Sequence, residues 1–232
     1  MSTILAIETS AETASVALLH DGALRSEQAV GVATHSQTLL PMMQGLLQTA
    51  GIRLSDCDAI AFGAGPGSFT GVRTACGIAQ GLAFGAQLPL VPISTLQAMA
   101  LKCHEQTGAS DIVAVLDARM GEVYWAQYRF DGAWRVVIEP TLSAASAVAI
   151  DGTATLCGNG VNAYPADFDA AQFIQCGMND LIPHAAQVAT LGADGFAKGQ
   201  GVAARDAEPF YLRNKVALTT NERLAKAAGV PA

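Results

Sequence analysis

The sequence predicts an α/β fold of two lobes, each opening on a β meander and continuing into helices. Two observations lead to this prediction. Three short extended stretches with turn signals occupy the first 30 residues, and a similar series returns from Ile112. The Asp-Gly turns of the two series, Asp21-Gly22 and Asp131-Gly132, lie 110 residues apart. Such a recurrence indicates an internal duplication, although a single repeated hairpin also arises by chance.

The strands of both meanders follow from apolar stretches bounded by turn residues. In the first series, Ile4 to Ile7 and Ser15 to His20 are apolar, and Ala23 to Val30 continues as a third strand after the Asp21-Gly22 hairpin signal. The second series consists of Val113 to Leu116, Glu122 to Phe130 and Trp134 to Ile138. Each half therefore supplies the start of its own sheet.

Two helices follow the first meander. Thr34 to Ala50 carries apolar residues at spacings of three and four, and Gly51 ends it. Pro41 either kinks this helix or marks its true first turn. A buried strand, Ala59 to Phe62, then precedes a second predicted helix, Thr70 to Ala86.

The boundary between the lobes is placed in the polar segment Lys102 to Ser110, which contains Gly108. We expect a first lobe of residues 1–108 and a second of residues 109–232, whose C-terminal segment is free to pack back on the first lobe. The tail from Val216 to Ala232 is either a short helix or frayed.

Composition and charge exclude several classes of protein. With 51% hydrophobic and 14% charged residues, the chain is globular and not disordered. Its formal net charge is -7 and its 13 Lys and Arg residues are dispersed along the sequence, so we do not expect the chain to bind RNA by itself. The acidic start without a basic region argues against a signal peptide, and the glycines and prolines of Thr74 to Ile93 argue against a membrane span.

The five cysteines and four histidines show no metal-ligand spacing. The cysteines lie 19 to 54 residues apart without a CxxC pair, which is typical of buried small residues in a reducing cytoplasm. We therefore predict no metal site, and no catalytic set of Ser, Cys, His and Asp stands out. Cys157 to Gly160 is more typical of a plain turn than of a nucleoside contact.

The loop Gly63 to Gly71 joins a predicted strand to a helix, where backbone NH groups and the helix dipole can receive an anion. It lacks the Gly-Lys-Ser or Gly-Lys-Thr of a Walker loop, and a packing role is at least as consistent with it. The candidate anion-binding or nucleotide-binding residues are Thr9, Ser10, Gly65, Gly67 and Ser68.

Three glycines share one face of the second helix. Gly77, Gly81 and Gly85 recur at steps of four, and each costs about 0.5 to 1 kcal/mol relative to alanine. We expect close packing against this face to offset the cost. The packing partner is either the protein's own sheet or first helix, or another subunit.

Five motifs in order resemble the TsaB (YeaZ) family over nearly the whole chain. They are Ile7-Glu-Thr-Ser10, Thr34-His-Ser-Gln-Thr-Leu-Leu-Pro41, Gly65-Pro-Gly-Ser-Phe-Thr-Gly-Val-Arg73, Asp117-Ala-Arg-Met-Gly-Glu-Val-Tyr124 and Tyr211-Leu-Arg213. The resemblance implies an actin-like, Hsp70-like (ASKHA, ribonuclease H-like) fold with a mixed sheet in each lobe. It also implies a paralogous TsaD-type partner that transfers threonylcarbamoyl to N6 of adenosine 37 in tRNAs reading codons that begin with A.

The resemblance further implies that this chain is not itself the enzyme. Glu8 and Ser10 stand where related folds place an Asp-x-Gly against ATP phosphates, and a residue other than glycine hinders that approach. Thr95 and Met99 stand where the catalytic relative carries a His-x-x-x-His metal pair. Neither side chain replaces imidazole on such a metal.

By resemblance, the chain binds and activates its partner through the first two helices of the amino-terminal lobe. Carried onto this sequence, the partner-binding residues are His35, Leu39, Leu40, Met43, Leu47, Arg73, Gly77, Gln80, Gly81 and Phe84. Alone, the chain is expected to form a homodimer through the same helices. In the wider complex a TsaE-type ATPase is expected, and this chain is expected to contact tRNA only indirectly. Whether ATP or ADP binds at the partner interface is left open. The alternatives are an autonomous ATP-binding phosphotransferase or ATPase and, less favoured, a metalloprotease.

Overall fold

The structure, a computed structural model, describes residues 2–30 and 35–213 and contains two five-stranded sheets. The first sheet comprises β1 (Ile4–Glu8), β2 (Thr13–His20), β3 (Ala23–Val30), β4 (Ala59–Gly65) and β5 (Leu90–Ser94). The second comprises β6 (Asp111–Arg119), β7 (Glu122–Phe130), β8 (Trp134–Ala144), β9 (Ala154–Cys157) and β10 (Phe173–Gln175).

The two sheets have the same topology. Their strand orders are β3-β2-β1-β4-β5 and β8-β7-β6-β9-β10. In each sheet the first three strands form an antiparallel meander, and two further strands pair in parallel beside the first. The predicted two-lobed α/β fold is confirmed, and the Asp21-Gly22 and Asp131-Gly132 turns each join the second and third strands of their meander.

The helices arrange the sheets in layers. They are α1 (His35–Ala50), α2 (Phe69–Ala86), α3 (Thr95–Thr107), α4 (Asn159–Ala163) and α5 (Ala185–Ala197). Helices α1 and α2 cover the outer face of the first sheet, while α3 and α5 lie between the two sheets. The outer face of the second sheet is covered by α4 and the irregular segments around it.

Both faces of the first sheet are buried. In β1, Leu5 and Ile7 contribute to the core under α1 and α2, whereas Ile4 and Ala6 contribute to the core under α5. All four side chains are fully buried. This explains why β1 reads as a continuous apolar run and does not alternate with polar residues.

The layer between the sheets connects the lobes tightly. A Cβ on Gly192 of α5 would lie 2.5 Å from the Cβ of Ala61, so α5 packs directly on β4. On α3, Leu101 joins the core of the first sheet and Met99 joins that of the second. The boundary predicted at Gly108 falls where this glycine ends α3 with a left-handed backbone, and it stays a prediction.

Several elements differ in length from the prediction. Strand β4 extends to Gly65, three residues beyond the predicted end, and β8 extends to Ala144. Helix α1 continues through Pro41. Thr34 and the tail from Val216 lie outside the described residues. Within the described part of the chain, no helix is both long and apolar enough to cross a membrane.

Candidate partner surface and inter-lobe cleft

The outward face of α2 is uncovered by the described part of this chain. Among the described residues, a Cβ built on Gly77, Gly81 or Gly85 would meet no atom within 4 Å. Beside these glycines, the ring of Phe84 is 82% exposed, and Leu40 of the neighbouring helix α1 is 50% exposed. In the described part of the chain, no contact from the first sheet or from α1 therefore offsets the free-energy cost of these three glycines in α2.

Two residues predicted to bind a partner are corrected by their burial. Leu39 is 0% exposed and Met43 is 3% exposed, and both lie in the core between α1 and the first sheet. Leu47 is half-buried against the same core. Helical spacing identified the apolar stripe of α1 but not the direction in which it faces. His35 begins α1, and its side chain lies outside the described residues.

Arg73 and Gln80 of α2 hold the C-terminal strap, defined here as residues 207–213. The Nε of Arg73 donates a hydrogen bond of 2.7 Å to the Tyr211 hydroxyl, and its guanidinium lies 3.6 Å from the centre of the Phe69 ring. The Nε2 of Gln80 donates to the Ala207 carbonyl at 2.9 Å. Both predicted partner-binding side chains are therefore already engaged at one edge of the exposed α2 face.

The glycine-rich loop between β4 and α2 packs against the turn after β1. A Cβ on Gly67 would lie 2.6 Å from the Ser10 carbonyl oxygen, and one on Gly71 would lie 1.9 Å from that of Thr9. The Ser68 amide donates to the Ser10 carbonyl at 2.7 Å. The Thr9 hydroxyl donates to the Gly71 carbonyl at 2.7 Å. These glycines let two backbone segments of the same chain approach closely.

The strap closes the other side of this loop. Gly65 has φ +114, and a Cβ there would lie 2.6 Å from the Phe210 carbonyl oxygen. The Phe210 amide donates to the Ala64 carbonyl at 2.7 Å. Leu212 packs on the core of the second sheet, and Arg213 forms an ion pair with Glu122. The sequence left open that the C-terminal segment packs back on the first lobe. It did not identify these contacts, because they join residues far apart in the chain.

A cleft of about 310 Å³ lies between the lobes. Of the predicted anion-binding residues, Ser10, Gly67 and Ser68 line it, whereas Thr9 and Gly65 lie outside its lining. The Ser10 hydroxyl is buried without a hydrogen-bond partner among the described residues. Cavities of this size can hold a small molecule. Anion or nucleotide binding stays a prediction.

An ion pair connects the lobes at the rim of the cleft. The guanidinium of Arg119, in the β6–β7 hairpin, lies 2.8 Å from a carboxylate oxygen of Glu12 in the first lobe. It also lies 3.2 Å from the carboxylate of Asp117. Arg119 and Met120 both have positive φ, 63° and 62°, so the hairpin turn that presents Arg119 adopts a left-handed backbone.

The segment after β9 has a structural role. A Cβ on Gly158 would lie 2.0 Å from the Val115 carbonyl oxygen, so this position requires glycine. The side-chain oxygen of Asn159 accepts a hydrogen bond from the Asp117 amide at 2.9 Å. Where a plain turn was predicted for Cys157 to Gly160, Cys157 ends β9 and α4 begins at Asn159, and these contacts fix α4 against β6.

The positions of the relative's metal pair are buried. Thr95 and Met99 are both 0% exposed, and Met99 lies in the core of the second sheet. In residues 2–30 and 35–213, no three His, Cys, Asp or Glu side chains are grouped so that they could hold a metal ion.

Comparisons with known proteins agree on one group of relatives. A family model described as tRNA N6-adenosine threonylcarbamoyltransferase (TsaD) matches residues 29–227. The tRNA threonylcarbamoyladenosine biosynthesis protein TsaB of Escherichia coli K12 is 42% identical over 221 residues, which cover 92% of this chain and 96% of that protein. The protein of the same name from Haemophilus influenzae is 40% identical over 229 residues, which cover 92% and 94%.

Solved structures give the same result at the level of the fold. A crystal structure from Pseudomonas aeruginosa, described as an uncharacterized protein with similarity to peptidase YEAZ, matches with a TM-score of 0.86 and 40% identity. The match covers 92% of this chain and 100% of that one.

Proposed function

The chain belongs to the TsaB (YeaZ) family, and on that premise we propose that it acts in tRNA threonylcarbamoyladenosine biosynthesis as a non-catalytic subunit. In this proposal it binds and activates a TsaD-type threonylcarbamoyltransferase, which modifies adenosine 37 of tRNAs reading ANN codons. We place the complex in the cytoplasm, with tRNA contacted only indirectly by this chain. The acidic balance of the chain, with net charge -7, supports that indirect role.

The observation that carries the proposal is the exposed face of α2. Gly77, Gly81 and Gly85 leave a shallow strip without side chains, Phe84 exposes apolar surface on the same helix, and Leu40 exposes apolar surface on α1. A second helix can approach such a strip to within backbone contact. Exposed aromatic and aliphatic side chains next to it then provide the apolar area that stabilises a subunit interface.

The partner is proposed from paralogy. The family model that matches residues 29–227 describes the transferase, so this chain and a TsaD-type enzyme share their architecture. Related subunits can pack through equivalent helices in a pseudo-symmetric version of an isologous contact. The same face would allow a homodimer when the partner is absent, and binding of either would exclude the other.

The proposal of catalytic inactivity is supported by Thr95 and Met99. Their side chains offer no imidazole, and both are buried, so they could reach a metal only after repacking of α3. We propose that the activity belongs to the partner. A TsaE-type ATPase in the wider complex, and ATP or ADP at the interface, are further proposals that rest on the family.

The interface is tested by co-purification with the TsaD-type protein of the same cell. Gly81→Leu places a bulky side chain in the strip, where a Cβ would meet no described atom within 4 Å, so we expect a folded protein that no longer binds the partner. Phe84→Ala should weaken binding by at least about tenfold, as loss of an aromatic anchor does. The matched control is Gln106→Leu, an exposed position on α3 that should leave binding unchanged. Unchanged binding by both α2 variants would contradict the proposed interface.

The alternative of an autonomous ATPase is favoured by the cleft and its unpartnered Ser10 hydroxyl. The glycines that would approach a phosphate are, however, packed against Thr9, Ser10 and Phe210. Titration of the isolated chain with ATP decides between these functions. Neither binding nor hydrolysis is expected, and hydrolysis abolished by Ser10→Ala would establish the alternative.

A further inference from the structure

Strand β3 forms an open edge of the first sheet. It pairs with β2 on one side, and no strand among the described residues pairs with its other side. Residues 23–28 are all exposed. Such an edge offers backbone NH and carbonyl groups to another strand. The opposite edge of the sheet differs, because the Leu90 amide and carbonyl of β5 already bond to Val202.

The register of the β2–β3 hairpin identifies which backbone groups point to this open edge. Asp21 and Gly22 form a two-residue turn with positive φ, so His20 and Ala23 are the hydrogen-bonded pair beside it. Hydrogen-bonded and non-hydrogen-bonded pairs alternate along an antiparallel ladder, and this register has no shift to the end of β3. The backbone groups directed away from β2 therefore belong to Leu24, Ser26 and Gln28.

The two charged side chains of β3 lie on one face of the sheet. Arg25 is opposite Leu18 and Glu27 is opposite Val16, and both of these β2 residues belong to the core under α1 and α2. Residues directly opposite each other in a ladder share a face, so Arg25 and Glu27 project on the side that α1 covers. A Cβ on Gly45 of α1 would lie 3.7 Å from the Oε1 atom of Glu27, in agreement with that placement.

We propose that β3 pairs antiparallel with β3 of a second copy of this chain, about a twofold axis at Ser26. The outward backbone groups of Leu24 then bond to those of Gln28 in the other copy, and Ser26 bonds to its own counterpart. Arg25 of each copy lies opposite Glu27 of the other in a non-hydrogen-bonded pair, where Cα atoms are about 4.5 Å apart. Opposite charges in such a pair stabilise the association of strands.

The order of the charges selects this register over its neighbours. Outward backbone groups recur at every second residue, so an alternative register shifts the second strand by two residues. One such shift places Arg25 opposite Arg25, and the other places Glu27 opposite Glu27. Like charges directly opposite each other destabilise a strand pair. Charges on an edge strand commonly prevent pairing, whereas these charges favour one self-complementary arrangement and disfavour the arrangement on either side of it.

This contact is separate from the partner surface proposed on α2. Helix α2 packs against β4, and strands β1 and β2 lie between β4 and β3. The exposed face of α2, with Gly81 and Phe84, therefore stays open when two copies pair through β3. The inference does not rest on the proposed function, and either contact can exist without the other.

The test mixes two charge-reversed variants, Arg25→Glu and Glu27→Arg, and identifies their complexes by native mass spectrometry. Each variant alone places like charges opposite each other, whereas the mixture places an acidic strand against a basic one. We expect each variant alone to dissociate at a concentration at least about tenfold higher than the unaltered chain. In the mixture, we expect the mixed dimer to exceed its statistical share. The control Lys198→Glu reverses an exposed charge after α5 and should behave as the unaltered chain.

Two further variants separate β3 pairing from other contacts. A contact through α2 does not distinguish the charge variants, so Gly81→Leu should leave the enrichment of the mixed dimer intact. Ser26→Pro removes an outward NH at the centre of the pairing without breaking a bond to β2, so we expect a folded monomer.

A mixed dimer at its statistical share would overturn the proposal, as would an unaltered chain that stays monomeric at every concentration. A folded Ser26→Pro variant that still enriches the mixed dimer of the charge variants would also overturn it. Circular dichroism shows whether each variant is folded. The mixing experiment decides the proposal even if Ser26→Pro fails to fold, because the charge reversals change only exposed side chains.

Discussion

The carboxyl of Glu8 lies directly against Gly63 of the adjacent strand: a Cβ built on Gly63 would be 1.8 Å from its Oε2 atom. Glu8 is fully buried, its backbone-facing oxygen accepts a hydrogen bond from the Ser10 amide, and Oε2 has no partner among the described residues. The end of β1 thus buries an acidic group in a space that only glycine on β4 provides. Substitutions that disturb this buried carboxyl are therefore expected to change the stability of the first lobe.

Substitution at Gly63 should be severely destabilising. We expect Gly63→Ala to lower the free energy of unfolding by about 1 to 3 kcal/mol, because the new methyl group overlaps the buried Glu8 carboxyl, which has to shift within a packed core. The control is Gly77→Ala on the open face of α2, which should raise stability by about 0.5 to 1 kcal/mol. Urea unfolding of both variants checks the difference, and equal effects would contradict the packing described for Gly63.

Burial raises the pKa of Glu8 above its ordinary value of 4.5. The folded protein therefore retains a proton that the unfolded chain releases. The contribution of the protonated Glu8 to stability is complete below about pH 4.5, and it is lost as the pH rises through the pKa of Glu8 in the folded protein. We expect Glu8→Gln to unfold at higher urea concentration than the parent at pH 7. The advantage should shrink toward pH 4, and an advantage independent of pH would contradict the buried titration.

The ion pair between Arg119 and Glu12 should contribute little to stability. Both side chains are largely exposed, at 72% and 64%, so solvent and salt screen the attraction. A double-mutant cycle of Arg119→Ala and Glu12→Ala should give a coupling below about 1 kcal/mol that falls further in about 1 M salt. A larger coupling would show that the rim of the cleft holds the lobes together.

The strap should loosen when its contact with α2 is removed. Tyr211→Ala eliminates both the hydrogen bond from Arg73 and the ring contact with Phe69. We expect faster hydrogen exchange at the Phe210 amide, which is bonded to the Ala64 carbonyl, while amides in β1 remain protected. Tyr211→Phe retains the ring and should show a smaller increase. Equal exchange in all three proteins would indicate that the strap is held by its backbone alone.

The local elements of the fold follow from sequence because their signals are local. The extended stretches and the turn at Asp21-Gly22, where both residues have positive φ, define the first meander. Which helix packs on which sheet depends on residues that are far apart in the chain, so the local sequence patterns did not predict it. Ala185 to Ala197 belongs to the second half of the chain but packs on the first sheet, as its Gly192 contact with Ala61 shows.

The sequence predicted a partner surface on α1 and α2, but it did not predict which side chains of these helices face outward. Helical spacing placed Gly77, Gly81 and Gly85 on one face, but it did not show that this face is open. The same spacing did not distinguish Leu39, which faces the core, from Leu40, which faces outward.

The most direct test is the threonylcarbamoylation rate of the TsaD-type protein of the same cell, with its other pathway enzymes, measured with and without this chain. We expect modification of tRNA to require this chain, to be restored by adding it, and to fail with Gly81→Leu. Modification at full rate by the partner alone would contradict the role of an activating subunit.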